Sequence, residues 1–174
     1  IVKHLGEEPK QVVEIGPGTG NLTQKLIDAG HQVLAIEPSR EMREKFREKK
    51  IEAKLLEGSF LQLPLHEQVD AFVSSYAFHH LTLDEKRAAI RLMKSLLKPN
   101  GMIIFADTAF ASEQARVQII QRAMDQGAKH LVEDLQTEYY ELLEDIKGVF
   151  EGEGFTVETK QLNRYVWLVD AKRR

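Results

Sequence analysis

Val12-Val13-Glu14-Ile15-Gly16-Pro17-Gly18-Thr19-Gly20, followed by Leu34-Ala35-Ile36-Glu37, decides how this chain reads. The first stretch is an apolar strand running into a turn with glycine at three alternate positions. The pattern continues as a helix, and the second stretch is another apolar strand with a carboxylate at its end. Glycines remove the side chains that would keep a flat, charged ligand off the backbone. The helix after the turn offers free N–H groups and a positive dipole end at the same place. Glu37 reaches the tip of the neighbouring strand, where a carboxylate accepts the hydroxyl protons of a ribose. The front of the chain therefore reads as a socket for a nucleoside with a charged tail.

Working outward, apolar strands alternate with helical patterns. Strands are expected at Gln11–Ile15, Gln32–Ile36, Ile51–Leu56, Val69–Ser75 and Met102–Ala106, and helices at Asn21–Ala29, Glu41–Lys49 (N-capped by Ser39) and Asp84–Leu97. In the last of these, Ala88, Leu92 and Leu96 and their neighbours are expected on the core face. Lys98-Pro99-Asn100-Gly101 stops the helix, because proline cannot continue it and Asn-Gly favours a turn. Alternation of this kind implies right-handed crossovers and a parallel sheet covered on both faces. The pattern then changes to two helices, Ser112–Gln126 and Leu131–Phe150, joined through Gly127. Gly154–Gln161 and Arg164–Val169 follow as strands separated only by Leu162 and Asn163, a connection that allows only an antiparallel hairpin. The sum is a seven-stranded α/β sheet, parallel but for one antiparallel strand near its edge. No linker divides residues 1–174, and 111–152 reads as a helical insertion within one domain.

The bulk properties agree. The 174 residues, 43% hydrophobic and 29% charged, fit a folded domain with a sizeable core. A net charge of −3 supplies no broad basic surface for nucleic acid; Arg43–Lys50 is interleaved with acids and reads as a solvated helix face. The chain lacks cysteine, which excludes disulfides and thiolate chemistry and is compatible with the cytoplasm. No apolar run is long enough to cross a membrane as a helix. Ile1–Leu5 reads as the last turns of an amphipathic helix without an initial Met, so residues upstream are expected to be missing.

Dinucleotide sites favour G-x-G-x-x-G. Here the spacing is G-x-G-x-G, with Glu14 opening an E-x-G-x-G-x-G pattern inside the strand. That pattern resembles motif I of the class I S-adenosylmethionine-dependent methyltransferases. The resemblance covers nearly the whole chain. It implies a Rossmann-like sheet of order 3-2-1-4-5-7-6, with strand 7 antiparallel and helices on both faces. AIEPS, SSYAFHHLT, FADTAF and RYVWLVDA are most similar to the YrrT-like bacterial methyltransferases within it. The implied cofactor is S-adenosyl-L-methionine, held by Glu14, Gly16, Gly18, Gly20, Glu37, Ser59, Phe60 and Ser74. Ser59 stands where many members carry an acid for the adenine amino group, so adenine is expected to rest on backbone and on Phe60 or Leu61.

The implied reaction is methyl transfer to a small molecule, with the low basicity of the chain arguing against nucleic acid. Tyr76-Ala77-Phe78-His79-His80-Leu81 follows strand four and should lie beside the methyl group. His79, His80 and Tyr76 are the candidate catalytic residues, the histidines as general bases near neutral pH. His80 is expected to pack and hold the loop, and His79 to face solvent or ligand. The two are expected to diverge, and with no H-x-x-x-H or H-x-E pattern no metal site is expected. Asp107 and Thr108 leave strand five at the same edge, and Tyr139 and Tyr140 are candidates to close over it. Two alternatives share the glycine turn and Glu37: an NAD-dependent oxidoreductase, and a protein that binds S-adenosylmethionine without turning it over.

Overall fold

The computed structural model describes residues 1–174. Seven strands form one sheet: β1 (Gln11–Ile15), β2 (Gln32–Ile36), β3 (Lys54–Leu56), β4 (Val69–Ser75), β5 (Leu97–Thr108), β6 (Phe155–Gln161) and β7 (Val166–Arg173). Their order is β3-β2-β1-β4-β5-β7-β6, with β7 antiparallel to both of its neighbours and every other pairing parallel. The order expected from the resemblance is the order observed. The helices are α1 (Val2–Leu5), α2 (Asn21–Asp28), α3 (Arg40–Glu48), α4 (Leu83–Leu96), α5 (Glu113–Asp125), α6 (Lys129–Thr137) and α7 (Leu143–Gly152), with a single 3₁₀ turn at Phe78–His80. None of them is long and apolar enough to cross a membrane.

Strand periodicity divides the core between the sheet's two faces. Val13, Ile15, Phe72, Ile103 and Phe105 pack with Ala89, Ile90 and Met93 of α4 and Ile146, Val149 and Phe150 of α7. Val12, Ala71, Val73 and Ile104 pack instead with Leu5 of α1 and Leu26 of α2. The same alternation turns Glu14 toward α2. Phe110, Ala123, Leu135 and Tyr140 form a smaller core within the helices between β5 and β6.

Most expected elements recur within a few residues of their expected ends, and the exceptions have local causes. Thr82 caps α4 through a reciprocal capping box with Glu85, starting the helix one residue early. The α4 core face is Lys86, Ala89, Ile90 and Met93, while Ala88 is exposed and Leu92 and Leu96 are half-buried. β5 begins at Leu97: residues 97–101 bend through Asn100 at φ 62° and shift register between the Val69 and Ala71 pairings. The hairpin loop is wider than two residues, because the Asn163 side chain accepts from the Tyr165 and Val166 N–H groups.

The expected helix Leu131–Phe150 is two helices. Between them the backbone bonds to other elements: the Tyr139 N–H donates to the His79 carbonyl, the Phe110 N–H to the Glu141 carbonyl, and the Leu143 N–H to the Phe110 carbonyl. The Lys86 ammonium donates to the carbonyls of Leu81 and Tyr139, at 2.7 Å each. Helical periodicity across 138–142 is outweighed by these partners, which fix the segment against the carboxyl edge of the sheet.

Candidate active site at the carboxyl edge of the sheet

In a parallel sheet, ligands bind beyond the carboxyl ends of the strands where chain order reverses. Here that is the crevice between β1 and β4. A cavity of about 470 Å³ opens there, bounded by Gly16 and Gly18 after β1, Glu37 and Ser39 after β2, Ser59 to Leu61 after β3, and Tyr76, Ala77 and His80 after β4. Its volume suits a ligand of cofactor size. A second groove, at the opposite, amino end of β1, β2 and β4, carries none of the candidate cofactor-binding or catalytic residues.

The glycine turn is built for close approach. Gly16 has φ 68° and a Cβ there would lie 2.7 Å from the Ala77 Cβ; Gly18, with φ 55°, leaves that wall of the cavity bare. Gly20 serves packing instead: its missing side chain makes room for Phe46 and Ile51. Glu37 is buried at the end of β2, and its Oε1 accepts the Ser39 N–H at 2.9 Å, which leaves Oε2 without a protein donor. Arg43 fixes the same loop, donating to the carbonyls of Glu37 and Pro38 and pairing with Glu57 at 2.8 Å. Arg43 is thus a buried strut, and only its neighbours form the solvated face expected of that helix.

Two other expected site residues, Glu14 and Ser74, stand behind the cavity wall. Glu14 is 1% exposed; its Oε2 accepts from the Thr23 hydroxyl of α2 at 2.5 Å, and its Oε1 has no partner. Burial pushes its carboxyl up to about 7, against a smaller opposing effect of the Thr23 hydrogen bond. Ser74 is also buried, its hydroxyl donating to the Ile15 carbonyl at 2.7 Å and so tying β4 to the strand before the glycine turn. Phe60 packs at ring-centroid distances of 5.2 Å from Phe78 and 5.8 Å from Phe105, presenting little surface, whereas Leu61 is exposed at the cavity.

The histidines exchange the positions expected of them. The His79 side chain is 10% exposed and held by Asp107, whose Oδ1 lies 2.7 Å from its Nδ1 and whose Oδ2 accepts its backbone N–H. His80 is 60% exposed and lines the cavity, with Nδ1 3.1 Å from Glu138 Oε2. The rings do not diverge: their centroids are 4.2 Å apart. Burial lowers the proton affinity of His79, but the Asp107 hydrogen bond and the charges of Asp107, Glu138 and Asp134 together raise its pKa above the ordinary value. Tyr76, with φ 55°, is exposed at the cavity; Tyr140 is buried against His79, its hydroxyl donating to Asp134, while Tyr139 faces solvent. Glu138 was invisible in the sequence because its partner His80 is 58 residues away.

The methyltransferase domain family model matches residues 13–105, more than half of the chain, from within β1 to within β5. The chain belongs to the methyltransferase domain family. Within that family it is 44% identical over 164 residues to an uncharacterized methyltransferase of Oceanobacillus iheyensis, covering 94% of this chain and 77% of the relative. It is 47% identical over 162 residues to one of Exiguobacterium sibiricum, covering 93% and 76%. Among solved structures, the magnesium protoporphyrin IX methyltransferase of Synechocystis PCC 6803 with bound SAH superposes with a TM-score of 0.75 at 18% identity, covering 99% of this chain and 78% of that one. The PH0226 protein of Pyrococcus horikoshii gives 0.79 at 16% identity, covering 97% and 84%. At these identities the structural likeness speaks to the fold, and the sequence relatives carry the membership.

Proposed function

We propose that this methyltransferase takes its methyl group from S-adenosylmethionine and passes it to a small molecule in the cytoplasm. The observation that carries the reading is a single cavity bounded at one end by the left-handed glycines Gly16 and Gly18 and at the other by Glu37, whose Oε2 has no protein donor. The donor set fits the group: bare backbone for a charged amino-acid tail, a buried carboxylate for ribose hydroxyls, and Leu61 with Ser59 for a flat base. Solved structures of this fold, including the Synechocystis enzyme with bound SAH, support the choice of ligand.

Bound there, S-adenosylmethionine supplies an already activated methyl group, so the protein's work is mostly alignment, worth roughly 7–11 kcal/mol. Glu37 orients the ribose, and Arg43 and Ser39 keep Glu37 in place. Glu14 and Ser74 hold α2 and β4 in register with the glycine turn and act as positioning residues. We assign proton acceptance to His80: its Nδ1–H is donated to Glu138, which leaves the Nε2 lone pair for a protonated acceptor. The carboxylate of Asp107 likewise requires the proton of His79 on Nδ1, and His79 steadies the turn. Tyr76 flanks the same wall. The helices of 111–152, pinned through Lys86, form the cover over the acceptor end.

Transfer of radiolabel from methyl-labelled S-adenosylmethionine into the small-molecule fraction of a cell extract tests this. Label is expected with the wild type and not with Gly18→Arg, which fills the cavity. Labelling of nucleic acid or protein alone, or none, contradicts it.

A further inference from the structure

Where the turn after β4 meets the segment joining α6 to α7, the side chains of His79, His80 and Glu138 converge. Each offers one ligand atom, and these atoms lie within 4.8 Å of one another. We propose that the three residues form a binding site for a divalent first-row transition metal ion. No local spacing points to it, because the carboxylate sits 58 residues from His80.

Several features make this a built site. His80 Nδ1 and Glu138 Oε2 are 3.1 Å apart, so an ion about 2.1 Å from each would see them at close to a right angle. The Asp107 carboxylate claims Nδ1 of His79, which leaves Nε2 as the only lone pair on that ring. Metal-bound histidines commonly donate their second ring N–H to a carboxylate in this way, which fixes the tautomer and strengthens the ligand. Asp107 is itself fixed, since Oδ1 accepts the Thr108 N–H at 2.7 Å and Oδ2 the His79 N–H at 3.0 Å. The two ligand-bearing segments are already joined by the Tyr139 N–H to His79 carbonyl bond and by Lys86, which binds the carbonyls of Leu81 and Tyr139. Little ordering is left for the ion to impose. Tyr140 and Asp134 back the cluster from α6 and the segment after it.

Two imidazoles and one carboxylate suit zinc, cobalt, nickel or iron(II), whereas magnesium and calcium prefer oxygen ligands throughout. Ligation through Nδ1 moves the hydrogen of neutral His80 to Nε2. The metal-bound form and the proton-accepting form of His80 therefore exclude one another. The ion would also clamp residues 129–142 onto the sheet edge.

The test uses the full chain, freed of metal with a chelator and without any methyl donor, so its outcome does not depend on the cofactor reading. Cobalt(II) is titrated and followed by its visible absorption, and zinc by calorimetry and by hydrogen exchange. One equivalent should bind with a Kd below about 10 μM, and exchange across 129–142 should slow. Glu138→Gln and the exposed His80→Asn should each weaken binding by at least about 100-fold. Asp107→Asn, which touches no ion, should weaken it roughly 10- to 100-fold. Thermal unfolding in chelator checks that each variant folds; His80→Asn, being at the surface, keeps the test open if another variant does not. Absence of saturable cobalt absorption, or unchanged affinity in His80→Asn, overturns the proposal.

Discussion

Replacing Glu14 with glutamine should make the protein more stable, and increasingly so as pH rises. The carboxyl is 1% exposed, has one donor in the Thr23 hydroxyl, and leaves Oε1 with no partner. Its pKa stands at about 7 against an ordinary 4.5, chiefly because burial disfavours the charged form. A raised folded-state value means that the folded protein holds the proton while the unfolded chain has lost it. The associated stability is therefore present below pH 4.5 and disappears as pH climbs through about 7, reaching about 3 kcal/mol in all. Glutamine keeps the acceptor for Thr23 and never ionises. The unfolding free energy of Glu14→Gln minus that of the wild type should thus grow by roughly 2–3 kcal/mol between about pH 5 and about pH 8. Urea denaturation of both proteins at each pH measures this, and shared titrations cancel in the difference. A difference that stays flat with pH would refute the placement of an ionisable, unpaired carboxylate behind the glycine turn.

Four further outcomes follow from the same geometry. Gly16→Ala places a Cβ 2.7 Å from that of Ala77 at a left-handed φ, so it should destabilise by roughly 1–3 kcal/mol and lower the Tm by several degrees; an unchanged melting curve contradicts the contact. Lys86→Met leaves the carbonyls of Leu81 and Tyr139 without their donor, which should cost about 2 kcal/mol and speed proteolysis within 129–142 before global unfolding. Stability tied to His79, whose imidazolium faces Asp107, Glu138 and Asp134 with the His80 and Tyr140 rings alongside, should be full below about pH 6.5 and lost as pH rises through its elevated folded value. Asp107→Asn should flatten that dependence, and a preserved slope would assign it to another group. His80→Asn should lower kcat by a factor of about 10² or more with KM for the methyl donor little changed, and a normal kcat removes His80 from proton transfer.

The sheet was legible because its signals are local. Apolar strands end at the glycine turn and at Glu37, and a hairpin so short forces β7 to run antiparallel. Gly16, Gly18, Glu37, Tyr76 and His80 could be placed at one edge by strand order, and Ser59 and Phe60 by the family resemblance. What escaped depends on contacts across the chain. The break at 138–142 arises from hydrogen bonds to His79, Lys86 and Phe110, none of which leaves a trace in helical periodicity. The exchange of roles between His79 and His80 is set by Asp107, 28 residues away, and by Glu138. Arg43 resembles its solvated neighbours in sequence, yet it sits at helical spacing from buried Phe46 and fills a loop that only the fold creates.

In the proposed function the glycine bend and Glu37 grip opposite parts of one adenosyl ligand. Calorimetric titration of S-adenosylhomocysteine into the wild type and into Glu37→Gln, which retains the acceptor for Ser39, tests it most directly. The wild type should bind one equivalent and, at about 100 times its Kd, gain roughly 2.7 kcal/mol of stability. Glu37→Gln should weaken binding by about 2 kcal/mol, roughly 30-fold. Equal affinity in the two proteins, or no heat and no thermal shift in the wild type, would contradict the account.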